Sequence, residues 1–195
     1  MAENKVRFGL KNVYYAILTE STSGSSNNSY GTPKAVPGAV SMTMDSNGTD
    51  GTFYADNVAY FKTFANNGYT GTLEMARITD EMMKDVWCMS EVNGILTEKN
   101  NVQPNPFALL FQIEGDQKEE LYVLYRVVPT SKPSMGSQTV GENVEPVTQS
   151  FDFEALPLVT GPNYQAGNIF GRTVETTATS VRNAWFSSVQ IATTA

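Results

Sequence analysis

Apolar and polar residues alternate with a period of two in several stretches of this chain, which is the pattern of a β-strand. The alternating runs are rich in β-branched and aromatic residues, and clusters of Gly, Pro, Asn and Ser separate them. Several runs carry apolar side chains on both faces, which predicts strands that are buried or lie at an interface. The predicted strands are 13–18, 39–44, 58–64, 69–78, 107–114, 121–128 and 146–158.

The stretch 52–93 has the clearest succession of predicted elements in the sequence. Asn67-Gly68 lies between two predicted strands and predicts a hairpin with a type I′ turn, because both residues tolerate positive φ. A short helix is predicted at about 79–89, with Thr79 as its N-cap and acidic residues in its first turn, and Asn93-Gly94 predicts its stop. An apolar stripe would hold this helix on a sheet: Met82, Met83, Val86 and Trp87.

The remaining segments have the composition of loops. Residues 19–38 predict a long loop and 45–51 predict a turn, since both are rich in Ser, Thr, Asn, Gly or Asp. Beyond Thr160 the chain becomes rich in Thr, Ala, Asn and Gly. The predicted organisation is therefore a β domain over 1–158, with 159–195 as a C-terminal arm or an extension of the same domain.

These elements together predict a mainly β protein. The expected architecture is a sandwich of two antiparallel sheets with one flanking α-helix. An isolated two-layer sandwich leaves one face of each strand to water, so the surplus of apolar faces predicts that subunits pair sheet to sheet.

The net charge of the chain argues against some classes of binding partner. The chain has 195 residues, of which 41% are hydrophobic, enough for one core. Thirteen basic residues against twenty acidic ones give a net charge of −7, which disfavours tight nucleic-acid binding because that affinity comes largely from Lys and Arg. A surface of the same sign as DNA would instead suit a protein that lets DNA pass without sticking.

The residue inventory argues against an enzyme. Histidine is absent, and Cys88 is the only cysteine, so the chain lacks Ser-His and Cys-His pairs, His-based zinc sites and an intrachain disulfide. No Gly-rich phosphate loop or nucleophile elbow is present. We therefore expect no catalytic residues, no metal and no cofactor. No signal peptide or apolar run of about 18 residues is present either, so we expect no export signal and no membrane partner.

Several residue groups admit a second interpretation. Residues 45–56 resemble a calcium loop, but Asp50 stands where the sharp turn requires Gly, which favours a solvated hairpin tip. The carboxylates Glu114, Asp116, Glu119 and Glu120 surround a predicted exposed loop, which favours solvation over acid–base chemistry. The methionine-rich helix stripe is typical of core filling. Phe53, Tyr54 and Tyr60 would suit either a sugar platform or a subunit interface.

An ordered series of segments resembles the major tail proteins, or tail tube proteins, of bacteriophages with long, non-contractile tails. The series spans about residues 9–158. Its members are Gly9–Ala16, Val36–Val40, Phe53–Asn57, Gly68, Gly71–Glu74, Asn93-Gly94, Pro106–Gln112, Tyr122–Arg126 and Ser150–Leu156.

The resemblance implies a structural virion protein. Such proteins self-assemble into hexameric rings that share a β-barrel, and the rings stack into the tail tube through which DNA is ejected into the host. The implied partners are further copies of the chain, a tape-measure protein, tail-tip or baseplate proteins and tail-terminator proteins. DNA would pass without specific binding. The implied location is the virion tail, after assembly in the host cytoplasm.

The resemblance also implies roles for individual residues. The candidate inter-subunit contacts are Phe53, Tyr54, Asp56, Asn57 and Tyr60. The candidate lumen-facing residues are Glu74, Asp152 and Glu154. The alternative interpretation is a phage adhesin or a carbohydrate-binding β-sandwich module, in which the aromatic residues form an exposed platform.

Overall fold

A computed structural model describes residues 8–22, 26–115, 119–139, 146–161 and 165–191. Within these ranges the chain is mainly β, with two short helices. The strands are β1 Phe8–Thr19, β2 Ser29–Tyr30, β3 Lys34–Ala35, β4 Ala39–Ala55, β5 Val58–Met75, β6 Ser90–Val92, β7 Ile95–Thr97, β8 Phe107–Glu114, β9 Glu120–Pro129, β10 Gln149–Ala155 and β11 Phe170–Arg172. The helices are α1 Asp80–Val86 and α2 Thr179–Ala184.

Nine strands form one sheet in the order β2-β1-β8-β9-β10-β5-β4, with β3 also paired to β1 and β11 to β9. All the strand pairs found in the described residues are antiparallel. Over the same residues the sheet does not close into a barrel, and β4 ends it with a free edge. The prediction of a mainly β, antiparallel protein is confirmed.

Side chains from both ends of the sheet meet in the main hydrophobic core. Alternate residues of β8 and β9 point into this core, and β5, β10 and α1 close it from the other side. Its largest fully buried members are Tyr15, Phe107, Phe111, Phe151, Phe153, Leu73, Met75, Ile78, Met82, Leu109 and Leu124.

The remaining side chains of β8 and β9 form a second hydrophobic cluster on the opposite face. The C-terminal segment covers this cluster, with Trp185 at its centre and only 4% exposed. The Trp185 indole N–H donates to the Tyr122 carbonyl at 3.3 Å, and the Phe186 ring stacks on Tyr14. Both apolar faces of β8 and β9 are therefore covered by other parts of the same chain.

Local sequence accounts for α1. The Thr79 hydroxyl accepts a hydrogen bond from the Met82 backbone N–H at 3.2 Å, and two acidic residues occupy the first turn, where the helix dipole favours negative charge. Met82, Val86 and Trp87 are buried, and Met83 packs against the main core. The helix ends at Val86, with Trp87 as its C-cap.

Asp85 links α1 to β1 and β3 through hydrogen bonds. Its carboxylate accepts hydrogen bonds from the Tyr15 hydroxyl at 2.8 Å and from Lys34 Nζ at 2.7 Å. Burial disfavours the charged form, but the two donors outweigh it, so the pKa of Asp85 lies below its ordinary value. Lys34 also lies 2.8 Å from the exposed Glu81.

We expect D85N to lower the free energy of unfolding by about 1–3 kcal/mol at pH 7, as is usual for lost hydrogen bonds to a charged group. Because the folded pKa is depressed, this stability is present above the unfolded-state pKa and disappears as pH falls through the lower folded value. Urea unfolding should therefore give a constant difference from pH 7 to 5 and a smaller one below about pH 4.

The matched control for D85N is E81Q, which changes the more exposed carboxylate around the same lysine. The Glu81 side chain is 61% exposed, so E81Q should cost less than about 1 kcal/mol. Equal effects of D85N and E81Q at pH 7 would contradict the role given to Asp85.

The predicted hairpin turn at Asn67-Gly68 is wrong. The strands β4 and β5 are joined at Asp56-Asn57, whose φ angles of 52° and 60° suit a type I′ turn. Asn67 and Gly68 lie inside β5, where the register shifts and Gly68 has a φ of 113°. The predicted turn at 45–51 is likewise part of β4.

Three further predictions need correction. Asn93-Gly94 does not stop the helix but forms the turn between β6 and β7, with φ angles of 54° and 75°. The single predicted helix is joined by a second, α2, in the C-terminal segment. The predicted loop 19–38 contains β2 and β3, and Asn28 within it is buried and bonded to Gln165 and Thr160.

Candidate assembly site: the projecting hairpin arm

The outer parts of β4 and β5 form a two-stranded ribbon that leaves the rest of the sheet. We call residues 46–67 the arm. Ten residues of each strand, 46–55 and 58–67, extend it by roughly 33 Å. The side chains of the arm are exposed, apart from the half-buried Ala55. A ribbon of two strands that packs on nothing is only marginally stable in water, so the arm calls for a partner.

Large apolar side chains cluster on the arm. Tyr60 is 77% exposed, Phe64 71% and Phe61 60%. Together with three more, they make an unusually apolar surface for a monomer, and such surfaces mark interaction sites. The other three are Phe53, Tyr54 and Val58.

The strand register divides the arm into two different faces. Phe53 lies directly opposite Phe61, and alternation places only uncharged side chains on their face. We call this the uncharged face: Thr49, Gly51, Phe53, Ala55, Val58, Phe61, Thr63 and Ala65. The other is the charged face, where Lys62 Nζ lies 3.3 Å from Asp50 Oδ2 and the Phe64 ring lies over Gly48.

The root of the arm is held by Gly68. A Cβ atom at this position would lie 2.1 Å from the Ala155 carbonyl oxygen, well inside contact distance. The Gly68 N–H donates to Asn66 Oδ1 at 3.1 Å, which fixes the local bulge. Glycine therefore lets β5 pass close to β10 before the strand leaves the body of the protein.

Next to this root, the outward face of β4, β5 and β10 carries only hydroxyls and carboxylates. Cross-strand neighbours form three rows: Ser41, Glu74 and Ser150; Thr43, Thr72 and Asp152; Asp45, Thr70 and Glu154. We call this the acid–hydroxyl face. The intervening residues of β5 and β10 point into the main core. The lower two rows line an open depression together with Thr130.

Hydrogen bonds hold two of the four carboxylates of this face. The Thr148 hydroxyl donates to Glu74 Oε1 at 2.5 Å and the Ser41 hydroxyl to Oε2 at 2.7 Å. These donors lower the pKa of Glu74. The Thr72 hydroxyl donates a hydrogen bond to Asp152 Oδ1 at 2.6 Å. The face therefore presents ordered negative charge at neutral pH.

The structure brings the predicted site residues together in two groups. Phe53, Tyr54, Asp56, Asn57 and Tyr60 lie at the outer end of the arm. Glu74, Asp152 and Glu154 share the acid–hydroxyl face, one in each row. What sequence reasoning missed is the rest of the arm, including Phe61 and Phe64, because the turn was assigned to the wrong pair of residues.

The fold does not support the other candidate sites. Asp45 and Asp50 lie on opposite faces of β4, so they do not form a calcium loop. Glu114 and Glu119 both lie within 3.0 Å of Lys11, and Glu120 pairs with Arg172. Asp116 lies outside the described residues. In the part of the chain that the structure describes, no group of three acidic or cysteine residues is placed to hold a metal ion.

No protein-family model matches this sequence, and no curated protein matches it. Among the described residues, no helix is long and apolar enough to cross a membrane.

Proposed function

We propose that this chain is a structural virion protein, the major tail protein of a bacteriophage with a long, non-contractile tail. It self-assembles into hexameric rings that stack into the tail tube, and the tube conducts DNA into the host. The observation that carries this proposal is the arm, an exposed aromatic ribbon that a second copy of the chain would cover. The sequence resemblance supplies the identity of the assembly.

The fold supports a tube subunit in a second way. Side chains of β1, β8 and β9 share the main core with those of β10 and β5, as the two layers of a β-sandwich would. The edge strand β4 is free in the described residues. Pairing of such edges between subunits would close a shared β-barrel and remove the edges.

The acid–hydroxyl face has the chemistry of a lumen wall in this proposal. Its rows hold Glu74, Asp152 and Glu154 among hydroxyl groups, with no basic side chain in them. Ordered negative charge repels the DNA backbone, so DNA would slide past without binding. The proposal thus needs neither a cofactor nor a catalytic residue.

The proposal also places the chain among other virion proteins. It would assemble in the host cytoplasm around a tape-measure protein, on a tail-tip or baseplate platform, and a tail-terminator protein would end the growth. In the mature particle it would be located in the tail.

The arm offers a matched pair of substitutions that tests the proposal. We expect F61E, on the uncharged face, to raise the protein concentration needed for assembly at least tenfold, since a buried unpaired charge costs more than about 1.4 kcal/mol. F64E changes another phenylalanine of the same strand, which is 71% exposed against 60% for Phe61 but lies on the charged face, and F64E should assemble much as the unchanged chain does. Sedimentation velocity and negative-stain microscopy give the two readouts.

Two results would contradict this expectation. The unchanged chain should form rings or tubes at high concentration, and a strictly monomeric species, even with a tail-tip platform present, would exclude a tube subunit. Equal assembly of F61E and F64E would show that the uncharged face is not the contact. Circular dichroism of each variant checks that the fold is kept.

A second candidate function is favoured by the high exposure of Tyr54 and Tyr60, which are 65% and 77% exposed. Exposed aromatic rings stack on sugars, so a phage adhesin or carbohydrate-binding module would use the arm as a platform. A glycan array separates the two functions. Glycan binding by a soluble monomer, abolished by Y60A, would favour the adhesin.

A further inference from the structure

Three Asn-Gly pairs occur in this chain, and the structure places them in three different environments. Such a pair can modify itself: the glycine backbone nitrogen attacks the asparagine Cγ, ammonia leaves, and a cyclic succinimide forms. Water then opens the ring to aspartate or isoaspartate. The reaction needs no enzyme, but it needs a glycine nitrogen that is not held and a backbone that can bend. The pairs are Asn47-Gly48, Asn67-Gly68 and Asn93-Gly94.

Asn93-Gly94 forms the exposed turn of the short β6–β7 hairpin. In a two-residue turn the closing hydrogen bond joins the flanking residues, here Val92 and Ile95, and leaves the Gly94 N–H to solvent. A Cβ on Gly94 would meet nothing within 4 Å, so the turn has open space around it. Val92 and Ile95 are 58% and 64% exposed, and the tip can therefore open without breaking core contacts.

Asn67-Gly68 has the opposite surroundings. Gly68 is buried, and its N–H donates to Asn66 Oδ1 at 3.1 Å, so the attacking nitrogen is already engaged. The Asn67 side-chain amide donates to Thr49 Oγ1 at 3.2 Å. The next residue, Tyr69, is paired with β10. Ring closure at Asn67 therefore requires the root of the arm to unfold locally first.

Asn47-Gly48 lies between these two extremes. It belongs to β4 within the arm, where Gly48 is the partner of Asn66 in β5. A Cβ on Gly48 would lie 2.7 Å from the Phe64 ring, so a side chain of the neighbouring strand crowds this glycine. The two strands must separate before the backbone can bend, but no buried residue has to move with them.

We propose that Asn93 is the self-modification site of this chain, and that the fold protects Asn67 most and Asn47 to a lesser degree. This inference does not depend on the proposed function. Aspartate at this position adds a carboxylate to a turn that lies between two exposed apolar residues. Isoaspartate also adds a methylene group to the backbone path, which disturbs the register of β6 and β7.

Peptide mapping by tandem mass spectrometry tests the assignment on the unchanged full chain. The chain is incubated in warm, mildly alkaline buffer, where the glycine nitrogen gives up its proton more readily. Each deamidation exchanges an amide for a carboxyl group and adds about 1 Da, so the three sites are followed separately. We expect Asn93 to react at least about ten times faster than Asn67, since only Asn67 requires local unfolding.

The control is the same chain unfolded in urea. There the fold no longer protects any pair, so the three rates should agree within about threefold. In the folded chain, G94A should slow the reaction at Asn93 at least about tenfold, because a side chain at the attacking residue hinders ring closure. The assignment is overturned if Asn67 reacts as fast as Asn93 in the folded chain, or if Asn93 stays unmodified. It is also overturned if Asn93 leads by the same factor in urea, because the flanking sequence would then decide the rate.

Discussion

A chain that ends at Leu158 is expected to lose its stable fold. The missing segment covers the second hydrophobic cluster, which includes Leu110, Leu121 and Val123 on the outer faces of β8 and β9. Removal of Trp185 alone should cost about 3–5 kcal/mol, as for other buried aromatic residues. Loss of β11 and α2 adds to this, and the total approaches the 5–15 kcal/mol that stabilises a typical domain.

Limited proteolysis and the yield of soluble protein measure this effect. The control is a chain that ends at Ile191, which keeps the contacts of the second cluster and should behave as the full chain does. If the truncated chain is insoluble, W185A supplies the measurement, with an expected fall in urea midpoint at constant slope. A soluble, cooperatively unfolding chain 1–158 would show that the C-terminal segment is dispensable.

We expect G68A, at the root of the arm, to be strongly destabilising. The added Cβ would lie 2.1 Å from the Ala155 carbonyl oxygen, and a φ of 113° is already unfavourable for an L side chain. Since both strands are fixed by pairing on either side, neither can retreat without breaking the β5–β10 ladder. The expected loss is at least about 3 kcal/mol in unfolding free energy.

The matched control is G94A in the β6–β7 turn. Gly94 also has a positive φ, 75°, but a Cβ there would meet nothing within 4 Å. G94A therefore measures backbone strain alone, about 1–2 kcal/mol. Thermal or urea unfolding of both variants isolates the clash as the difference between them. Equal effects of G68A and G94A would mean that the arm root is not tightly packed.

Sequence periodicity predicts best those strands that lie in the core. The predicted strand 107–114 coincides with β8, because a buried strand must alternate its side chains between two packed faces. The helix α1 was also predictable, since Thr79 and the first-turn carboxylates mark its start locally. The clearest signals thus come from residues whose neighbours constrain them.

The arm was not predictable by the same reasoning. Its strands touch no core, so apolar and polar side chains occur on both faces, and glycines and asparagines interrupt them. Asp56-Asn57 and Asn67-Gly68 both tolerate positive φ, and the second pair is the stronger turn signal. The choice was decided by the long-range pairing of 69–75 with β10, which holds Gly68 inside a strand. No local pattern contains that information.

The C-terminal segment shows a related limit. Apolar residues on both faces of a strand predict a cover but do not say whether a neighbouring subunit or a distant part of the same chain supplies it. Here Trp185, Val181 and Phe186 supply it for β8 and β9. Scattered aromatic residues in a Thr- and Ala-rich segment are a weak signal, since Trp185 acquires its role only from the sheet it meets.

Within the described ranges the outer edge of β4 has no partner strand, so a newly made chain can either assemble in an ordered way or aggregate. An exposed strand edge is a template for pairing with a strand of another chain, either in an ordered assembly or by chance. Ordered assembly into rings or tubes removes the chain from solution, whereas chance strand pairing leads to fibrous aggregate. The ratio of the two depends on how fast growing ends capture free copies. Storage of the pure protein should therefore be limited by a concentration-dependent lag time, not by its melting temperature.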